Sequence, residues 1–481
     1  MQLRKILIPI LCILFAASIL RLWNLDRPDI NPDEDHYIQD AVRFSRKDPF
    51  ISIRYHTFKH PEPSIGHPFL AQITGAGIFK ILGYSNFTAR LPQALAGIFT
   101  VAALFLFSRS LSGRVAVISA SILAIFPFAV RYNRDAHLDS IFAFLVALTA
   151  LFIWRYNFNR NFIWLIAAGI AVGLAISTKL DGIITLFLSF ALLSLSYISS
   201  GFAGIKNFKE LIKAASLILI VSSIIAFLLN DPASYLGAIF KPSDPNFKLI
   251  SAEFWISSAK SYKFWGQVGF YLLSPPVLFI WLASVVYLLI RHDYTSRFLL
   301  VWQITLLSLF VFHRPGLSGQ YGLLPVTPPI VISMSYFLHQ IFKKKSLFIV
   351  TVLIIMVLPF TRLYGLYLKS LPYYKGDSIW TRTIGDSFYL DTIKNVNDLA
   401  PRNGKVFLLP QSNYPLFSLR SDLSWTYSDI EDSDVFVVSS PELIESVETK
   451  IVLIGETSRY QDDENLIRYI FAKKTSQKND I

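Results

Sequence analysis

Long apolar runs alternate with short polar segments along most of the chain. The runs cover residues 6–23, 91–107, 115–130, 141–154, 162–177, 183–198, 214–229, 270–290, 298–312, 323–342 and 347–366. Each run is about 14–21 residues long, which is close to the length that an α-helix needs to cross a bilayer. The pattern therefore predicts about eleven transmembrane helices.

Two further segments in the first half of the chain have helical patterns but are not clear spans. Residues 33–47 carry apolar side chains at a spacing that predicts an amphipathic helix on the membrane surface. Residues 68–82 are apolar, short and interrupted by glycine. They form either a second interfacial helix or an extra span, and an extra span would invert every later loop.

The composition changes after residue 366, where long apolar runs give way to shorter ones. Residues 391–400 have the pattern of an amphipathic helix, and residues 465–472 predict another helix. Three short apolar runs predict buried strands, at residues 406–409, 435–438 and 451–454. We therefore expect a membrane domain at 1–366 and a small α/β domain at 367–481.

The composition is that of an all-α polytopic membrane protein with this small α/β addition. Hydrophobic residues make up 53% of the chain and charged residues 16%, and the mean hydropathy is +0.47. The 40 Phe, 22 Tyr and 9 Trp residues are typical of lipid-facing helices and interfacial belts. The single cysteine, Cys12, excludes an internal disulfide and a multi-cysteine metal site, and low cysteine usage favours a prokaryotic plasma membrane.

The positive charges give the predicted orientation of the spans. Basic residues occur in every second loop, at Arg109 and Arg114, Arg155 and Arg160, Lys206, Lys209 and Lys213, Arg291 and Arg297, and Lys343, Lys344 and Lys345. The positive-inside rule places these loops and the N-terminus in the cytoplasm. The net charge of +12 is therefore interpreted as loop charge, with a contribution to anionic-lipid binding, and not as a nucleic-acid site. An odd number of spans then places the α/β domain outside, and the charge pattern argues against an extra span at 68–82.

The first outer loop, residues 24–90, contains the acidic sequence Asn31-Pro-Asp-Glu-Asp-His-Tyr37. Asn31 is a good helix N-cap, proline suits the next position, and Glu34 stands three residues after the cap as in a capping box. Acids in a first helical turn also complement the helix dipole. The carboxylates therefore have a structural explanation beside any catalytic one.

Other charges are predicted at the same membrane face, at the ends of several helices. They are Arg131, Arg134, Asp139, Lys179 and Arg314. Such a set suits a reaction on a lipid with a phosphate head group, because cations bind the phosphate and a carboxylate can deprotonate an attacking hydroxyl. The alternative is that each charge only anchors a helix end at the interface.

A divalent metal is left open by the histidines of the first outer loop. His60, Glu62 and His67, with Asp33 or Asp35, could provide nitrogen and oxygen ligands. Their spacing matches no compact metal motif, and the prolines at positions 61 and 63 stiffen the segment. No cofactor is required by the sequence.

Several short motifs follow one another over roughly residues 1–340. They are Asp33-Glu34 with Tyr37, His67-Pro-Phe69, Ala89-Arg-Leu-Pro-Gln-Ala-Leu-Ala-Gly97, Ser112-Gly-Arg114, Arg131-Tyr-Asn-Arg134 with Asp139, Gly173-Leu-Ala-Ile-Ser-Thr-Lys179 and Tyr321-Gly-Leu-Leu-Pro-Val-Thr-Pro328. The ordered set resembles the polyprenyl-phosphate-sugar-dependent glycosyltransferases of the GT-C superfamily. Within that superfamily it is similar to the dolichyl-phosphate-mannose protein mannosyltransferases and aminoarabinose transferases.

The resemblance implies transfer of a mannose-like hexose or an aminoarabinose-like pentose from a polyprenyl-phosphate carrier. The acceptor would be a hydroxyl on a protein, lipid or glycan at the outer membrane face, and the anomeric configuration would invert. Asp33 would be the base and Glu34 its support. The other implied site residues are His67, Arg134, Lys179 and Arg314 at the donor phosphate, and Asp139, Tyr37 and Tyr321 in acceptor or supporting roles. Gln320 stands where an arginine is common in the family, and Arg314 is the candidate substitute.

Two other classes of function compete with the glycosyltransferase hypothesis. A flippase or transporter of lipid-linked sugars should carry ionisable residues deep inside its spans, and Lys80 is the nearest example. A non-enzymatic membrane assembly or receptor protein would not need acids and bases gathered on one face. The discriminating observation is whether Asp33, Lys179 and Arg134 face one cavity.

The topology predicts that a cysteine introduced by Ser412→Cys is labelled from outside the cell. The reason is that five basic inner loops and an odd span number put the α/β domain outside. Reaction of intact cells with a membrane-impermeant maleimide measures this. Labelling that appears only after the membrane is permeabilised would reject the topology.

Overall fold

The computed structural model describes residues 2–26, 32–46, 70–199, 207–230, 275–312, 320–342, 388–408, 423–426, 433–438, 451–461 and 464–473. Its helices up to residue 341 are α1 (Gln2–Leu22), α2 (Pro32–Arg46), α3 (Leu70–Leu82), α4 (Asn86–Arg109), α5 (Gly113–Ile125), α6 (Pro127–Tyr132), α7 (Asp139–Asn159), α8 (Ile163–Ile176), α9 (Ile184–Ile198), α10 (Phe208–Leu229), α11 (Pro275–Arg291), α12 (Tyr294–Phe312) and α13 (Thr327–Ile341). Short 3-10 helices at Leu180–Ile183 and Gln320–Val326 lead into α9 and α13.

The predicted apolar runs coincide with helices wherever they fall among the described residues. In this part of the chain four helices are both long and apolar enough to cross a membrane: Asn86–Arg109, Asp139–Asn159, Asp181–Ile198 and Phe208–Leu229. Shorter apolar helices accompany them, among them α5, α8 and α11. The protein is therefore a helical membrane protein, while the count of about eleven spans stays a prediction, since the run at 347–366 lies outside the described residues.

The two ambiguous segments are both helical in the structure, and they pack against each other. α2 spans the amphipathic segment and buries Ile38, Ala41, Val42 and Phe44 against α3 and α4. α3 has 13 residues and is about 20 Å long, and the choice between an interfacial helix and an extra span stays a prediction. Its first amide, on Leu70, donates to the carbonyl of Ser177 at the end of α8, over 2.9 Å.

The run predicted at 115–130 is one span in the sequence but two helices in the structure. Phe126 adopts an extended conformation (φ −66°, ψ 113°) between α5 and α6. The following Pro127 disfavours a helical conformation at this residue, and its fixed φ suits the first position of α6. The break turns the chain into the segment 133–138, which carries much of the site described below.

α8 and α10 pack closely because glycines stand where the two helices meet. A Cβ on Gly173 would lie 2.6 Å from the Cβ of Ile225 and 2.8 Å from the carbonyl oxygen of Ser222. A Cβ on Gly169, one turn earlier, would be too close to the side chain of Val221 in the same way. Small residues four positions apart commonly allow membrane helices to approach each other closely. Such close packing matters because burial of apolar surface contributes little to helix association in lipid.

The described residues after 387 form one helix and one sheet. The elements are α14 (Phe388–Leu399), β1 (Lys405–Leu408), β2 (Ser424–Thr426), β3 (Val435–Val438), β4 (Ile451–Gln461) and β5 (Glu464–Lys473). The strand order is β2-β1-β3-β5-β4, with β1 parallel to both β2 and β3 and with β5 antiparallel to β3 and β4. The predicted boundary between residues 366 and 367 lies outside the described residues.

The sequence prediction for this region is right in its first elements and wrong in its last. The helix and the three strands are present, although β4 extends well beyond residue 454. The helix predicted at 465–472 is instead strand β5, which pairs with β4 from Glu464 to Lys473 and with β3 on its other edge. Hydrogen bonding to two neighbours, with Ile467, Tyr469 and Phe471 along the strand, outweighs the short helical pattern.

Candidate functional site

Charged side chains are buried where the end of α1, the start of α2, the start of α4 and residues 133–138 meet. The exposed fraction is 3% or less for Glu34, Arg90, Arg134, Asp135, His137 and Asp139. Burying a charge is costly unless it is paired and hydrogen-bonded. The partners of each group therefore show which of them hold the fold and which remain candidates for chemistry.

Glu34 and Arg90 form a two-pronged ion pair. Arg90 Nε donates to Glu34 Oε1 and Arg90 Nη2 donates to Glu34 Oε2, each over 2.8 Å. The amide of Ala136 also donates to Glu34 Oε1, over 2.6 Å, and Arg90 Nη1 donates to the carbonyl of Leu25 over 3.2 Å. One carboxylate and one guanidinium thus join α2, α4, the end of α1 and the segment before α7.

The ion pair keeps Glu34 ionised. Burial alone raises the pKa of Glu34, but the charge and hydrogen bonds of Arg90, with smaller contributions from His137 and the Ala136 amide, lower this pKa to about 2. Both carboxylate oxygens already accept hydrogen bonds. Glu34 therefore fits the predicted supporting role and is unsuited to accept a proton from a substrate.

Two buried arginines cap the C-terminal ends of α1 and α5. Arg134 donates to the carbonyls of Leu20, Arg21 and Asn24 at the end of α1, over 2.9–3.1 Å. Arg21, from α1, donates to the carbonyls of Leu123 and Ala124 at the end of α5, over 3.3 and 2.8 Å. Cations and donors at a helix C-terminus satisfy its free carbonyls and complement its dipole.

These contacts change the interpretation of Arg134. The resemblance implies that Arg134 binds the donor phosphate, but both of its Nη atoms donate to backbone carbonyls and its side chain is buried. The structure assigns Arg134 to holding α1 in place. The turn around it is also held by Asn133, which accepts from Arg21 Nε over 3.0 Å and occupies the space that Gly97 leaves open.

Lys179 and Asp139, both predicted as site residues, are brought into contact. Lys179 Nζ lies 3.0 Å from Asp139 Oδ1 and 3.2 Å from Asp181 Oδ2. Burial lowers the pKa of Lys179, but the charges of the two carboxylates raise it by more than burial lowers it. The pKa therefore lies above its usual value, and the side chain stays protonated. Gly182 allows this turn, because a Cβ there would lie 2.1 Å from the carbonyl oxygen of Ala175.

Tyr37 lies between the Glu34–Arg90 pair and the Lys179–Asp139 pair. Its ring meets the ring of His137 edge-on, with centroids 5.9 Å apart, and the Tyr37 side chain is also an electrostatic neighbour of Lys179. Tyr37 stands on α2, almost one turn after Glu34. The first turns of α2 therefore connect the Glu34–Arg90 pair with the Lys179–Asp139 pair.

Arg90 and Asp135 are site residues that the sequence prediction did not use, whereas Arg131, the partner of Asp135, was predicted at this face. Arg131 Nη1 donates to Asp135 Oδ1 over 3.2 Å. Burial raises the pKa of Asp135, and the charge of Arg131 opposes this only in part, so the pKa stays above its usual value. A charged residue directly before an apolar run, as Arg90 is before the run at 91–107, is the sequence feature that could have identified such a residue.

Several predicted residues cannot be placed. Asp33 belongs to the first turn of α2, but its side chain lies outside the described residues, as do His67, Arg314 and the side chain of Tyr321. No cluster of three or more metal-ligating side chains occurs in the described part of the chain, and the histidines that suggested a metal fall outside it. Lys80 is exposed in the last turn of α3, not deep in a span.

The Glu34–Arg90 pair predicts how stability depends on pH. The lowered pKa of Glu34 means that its contribution to the free energy of unfolding is complete above about pH 4.5 and is lost as the pH falls toward 2. Glu34→Gln, which leaves Arg90 buried with a weaker partner, should cost about 3–5 kcal/mol near neutral pH. Thermal unfolding of the purified protein at a series of pH values measures both effects.

The control for this experiment is Asp398→Asn, which changes an exposed carboxylate on α14. It should leave the free energy of unfolding within about 0.5 kcal/mol of the wild type at every pH. A Glu34→Gln variant that is as stable as this control, or a difference from wild type that does not shrink below pH 4.5, would contradict the prediction.

Comparison with known proteins supports the resemblance that the motifs indicated. Residues 66–227 match the dolichyl-phosphate-mannose-protein mannosyltransferase family. The Bacillus subtilis (strain 168) candidate mannosyltransferases YkcB and YycA are 29% identical over 185 residues and 27% identical over 176 residues. These matches cover 37% and 36% of this chain and 24% and 25% of the relatives, so the chain spans about a quarter of their length.

The fold is shared with a solved membrane protein over nearly the whole chain. ArnT from Cupriavidus metallidurans, solved bound to undecaprenyl phosphate, superposes with a TM-score of 0.61 at 15% identity. The superposition covers 95% of this chain and 97% of ArnT. The chain thus has the fold of ArnT, and its resemblance to the GT-C glycosyltransferases is confirmed over residues 66–227 by the mannosyltransferase family.

Proposed function

We propose that this protein is an integral-membrane glycosyltransferase that moves a sugar from a polyprenyl-phosphate carrier to an acceptor hydroxyl. The observation that carries the proposal is that α2 links two charged groups. Glu34 in its first turn is bound by Arg90 and the Ala136 amide, and Tyr37 is an electrostatic neighbour of Lys179, which is held protonated by Asp139 and Asp181. We propose that Asp33, in the same first turn, supplies the carboxylate and Lys179 the cation that attack by a hydroxyl on a sugar phosphate requires.

The chemistry needs one base and several cations. Asp33 removes the proton of the acceptor hydroxyl as its oxygen attacks the anomeric carbon from the side opposite the phosphate, so the configuration inverts. The phosphate is a fairly good leaving group and needs its charge stabilised more than it needs an acid. The positive end of the α2 dipole keeps Asp33 ionised, and Lys179, with His67 and Arg314, stabilises the phosphate.

The carrier is proposed from the fold and from the charges together. ArnT, which shares the fold, was solved with undecaprenyl phosphate bound, and this supports a polyprenyl phosphate as the carrier here. We place the active site on the outer face of the plasma membrane, since the basic loops are cytoplasmic by the positive-inside rule. A divalent cation held by His60, Glu62 and His67 stays a prediction.

A transporter of lipid-linked sugars is less well supported. Transport pathways place ionisable groups along a route through the spans. Here the buried charges of the described residues gather at helix ends and are engaged in ion pairs or backbone contacts, as in Glu34–Arg90 and Lys179–Asp139. This arrangement is more typical of a fixed reaction centre than of a transport pathway through the membrane.

Asp33→Asn tests the base. Asparagine keeps the size and hydrogen-bonding shape of the side chain but cannot accept the proton, so turnover should fall by roughly 10²–10⁴. Binding of the lipid donor and expression should remain near the wild-type level. The measurement is transfer of label from undecaprenyl-phosphate sugars to acceptors in membranes, together with donor binding to the purified protein.

Asp40→Asn, two turns later on the same helix, is the matched control and should keep wild-type turnover. If Asp33 serves only as a first-turn acid, Asp33→Asn will cost well under about 1 kcal/mol of stability and leave turnover intact. Near-normal turnover in Asp33→Asn would remove this residue from the mechanism and direct attention to Asp35.

Lys179→Ala tests the contact with the donor. Because Lys179 is protonated and sits beside Asp139, its removal should raise the KM for the lipid donor more than the KM for the acceptor. Steady-state kinetics with donor and acceptor varied separately give the two values. Lys80→Ala, an exposed lysine on α3, is the control. An unchanged donor KM and kcat in Lys179→Ala would assign Lys179 to holding the turn with Asp139 and Asp181.

A further inference from the structure

Polar side chains are also buried together at the far end of α7, opposite the site described above. α7 begins at Asp139 and has 21 residues, so its last turn lies about 30 Å from that site. There Asn157 Nδ2 donates to the hydroxyl of Tyr294 on α12 over 2.5 Å, and Ser196 on α9 lies beside the same hydroxyl. The ends of α7 and α9 and the start of α12 therefore meet at one polar cluster.

Two polar atoms at this cluster have no hydrogen-bond partner among the residues that the structure describes. One is Oδ1 of Asn157, whose residue is 4% exposed, and the other is the buried Oγ of Ser199. Ser199 follows the last turn of α9, three residues after Ser196 and on the same side of the helix. A hydroxyl group would suit both atoms, because it can donate to the amide oxygen and accept from the serine.

A guanidinium group lies next to the polar cluster. Arg160 is the C-cap of α7, and its guanidinium carbon lies 5.2 Å from the centroid of the Tyr156 ring. Arg160 is also an electrostatic neighbour of Tyr294, and Glu210 on α10 is an electrostatic neighbour of Tyr156. The start of α10 is therefore the fourth helix end at this place.

α10 brings two more cations to the same end of the membrane domain. The ring of Phe208, its first residue, lies 6.3 Å from the ring of Tyr197 at the end of α9. Lys209 and Lys213 follow in the first turns of α10 and are exposed. Neither lysine forms an ion pair with a carboxylate in the described part of the chain, so this end keeps an excess of positive charge.

Exposed apolar side chains surround these cations. They are 44–72% exposed and comprise Phe158, Phe162, Ile163, Ile198, Phe208 and Ile212. Cations with aromatic and aliphatic neighbours at helix ends are typical of the boundary between lipid head groups and acyl chains. A ligand at this boundary is a membrane lipid, whose chains can lie along α8 and α10, since the glycines of α8 hold these two helices side by side.

The charges and the polar cluster together indicate the head group. A phosphate suits three cations that outnumber the nearby Glu210. An ammonium group on the same lipid would be repelled by those cations. Head-group hydroxyls, in contrast, could bond to Asn157 and Ser199.

We propose that the ends of α7 and α9 and the starts of α10 and α12 bind an anionic phospholipid with a hydroxylated head group, of the phosphatidylglycerol class. Arg160, Lys209 and Lys213 hold its phosphate, and a head-group hydroxyl reaches Asn157. By the positive-inside rule this end of the protein lies in the cytoplasmic leaflet. The site is remote from Lys179 and Asp33, so the inference does not depend on the proposed reaction.

The test compares three lipids with identical acyl chains by native mass spectrometry of the purified full chain. Phosphatidylglycerol carries one negative charge and two hydroxyls, phosphatidylethanol carries the same charge and no hydroxyl, and phosphatidylethanolamine is zwitterionic. The wild type should bind phosphatidylglycerol roughly 30-fold more tightly than phosphatidylethanolamine, because each exposed lysine near a lipid phosphate contributes roughly fivefold. It should bind phosphatidylglycerol about 2–10-fold more tightly than phosphatidylethanol, which lacks the hydroxyl that reaches Asn157.

Two variants separate the phosphate contact from the hydroxyl contact. Lys209→Gln combined with Lys213→Gln changes only exposed side chains and should lower the preference for phosphatidylglycerol over phosphatidylethanolamine by about 10–30-fold. Its control, Lys80→Gln with Lys394→Gln, removes the same charge from exposed positions on α3 and α14 and should keep the wild-type preference.

Asn157→Leu should abolish the preference for phosphatidylglycerol over phosphatidylethanol and leave the preference for anionic lipid. Its control is Thr149→Val, which removes a buried hydroxyl that bonds within α7, two turns before Asn157. Affinity ratios are taken within each variant, so a partly unfolded sample lowers both values and leaves the ratio intact.

Three results would contradict the inference. Equal binding of the three lipids by the wild type would overturn the site as a whole. A wild-type charge preference in the double lysine variant would overturn the phosphate contact with α10. A wild-type ratio of phosphatidylglycerol to phosphatidylethanol in Asn157→Leu would overturn the hydroxyl contact, since water would then satisfy the amide.

Discussion

The arrangement of the site depends on one buried ion pair, between Glu34 and Arg90. These residues are 56 positions apart, and both are 1% exposed. A lone charge at this position would be strongly destabilising, and the two-pronged geometry, the Ala136 amide and the Leu25 carbonyl all help to make the burial tolerable. The pair thereby fixes where α2 begins relative to α4. The course of the first turns of α2 and the neighbours of Tyr37 follow from that.

Much of the charge in this region holds the fold instead of acting on a substrate. Arg21 and Arg134 satisfy carbonyls at the ends of α5 and α1, and Arg131 pairs with Asp135. Hydrogen bonds of this kind hold the two arginines in place and satisfy carbonyls that the helix ends leave free. Lys179 is less enclosed than these arginines, since its side chain is 12% exposed between Asp139 and Asp181.

The sequence by itself determined the helical elements, the amphipathic character of α2 and the positions of the motifs, because apolar periodicity and capping preferences act over a few residues. It also singled out Lys179 and Asp139, which the structure joins. Only the tertiary structure decided that Arg134 caps α1, that Arg90 binds Glu34, and that residues 464–473 form a strand between two others. Those outcomes depend on partners that are distant in the sequence. They are favoured because a buried charge, or a backbone group of a strand, costs free energy when it has no hydrogen-bond partner.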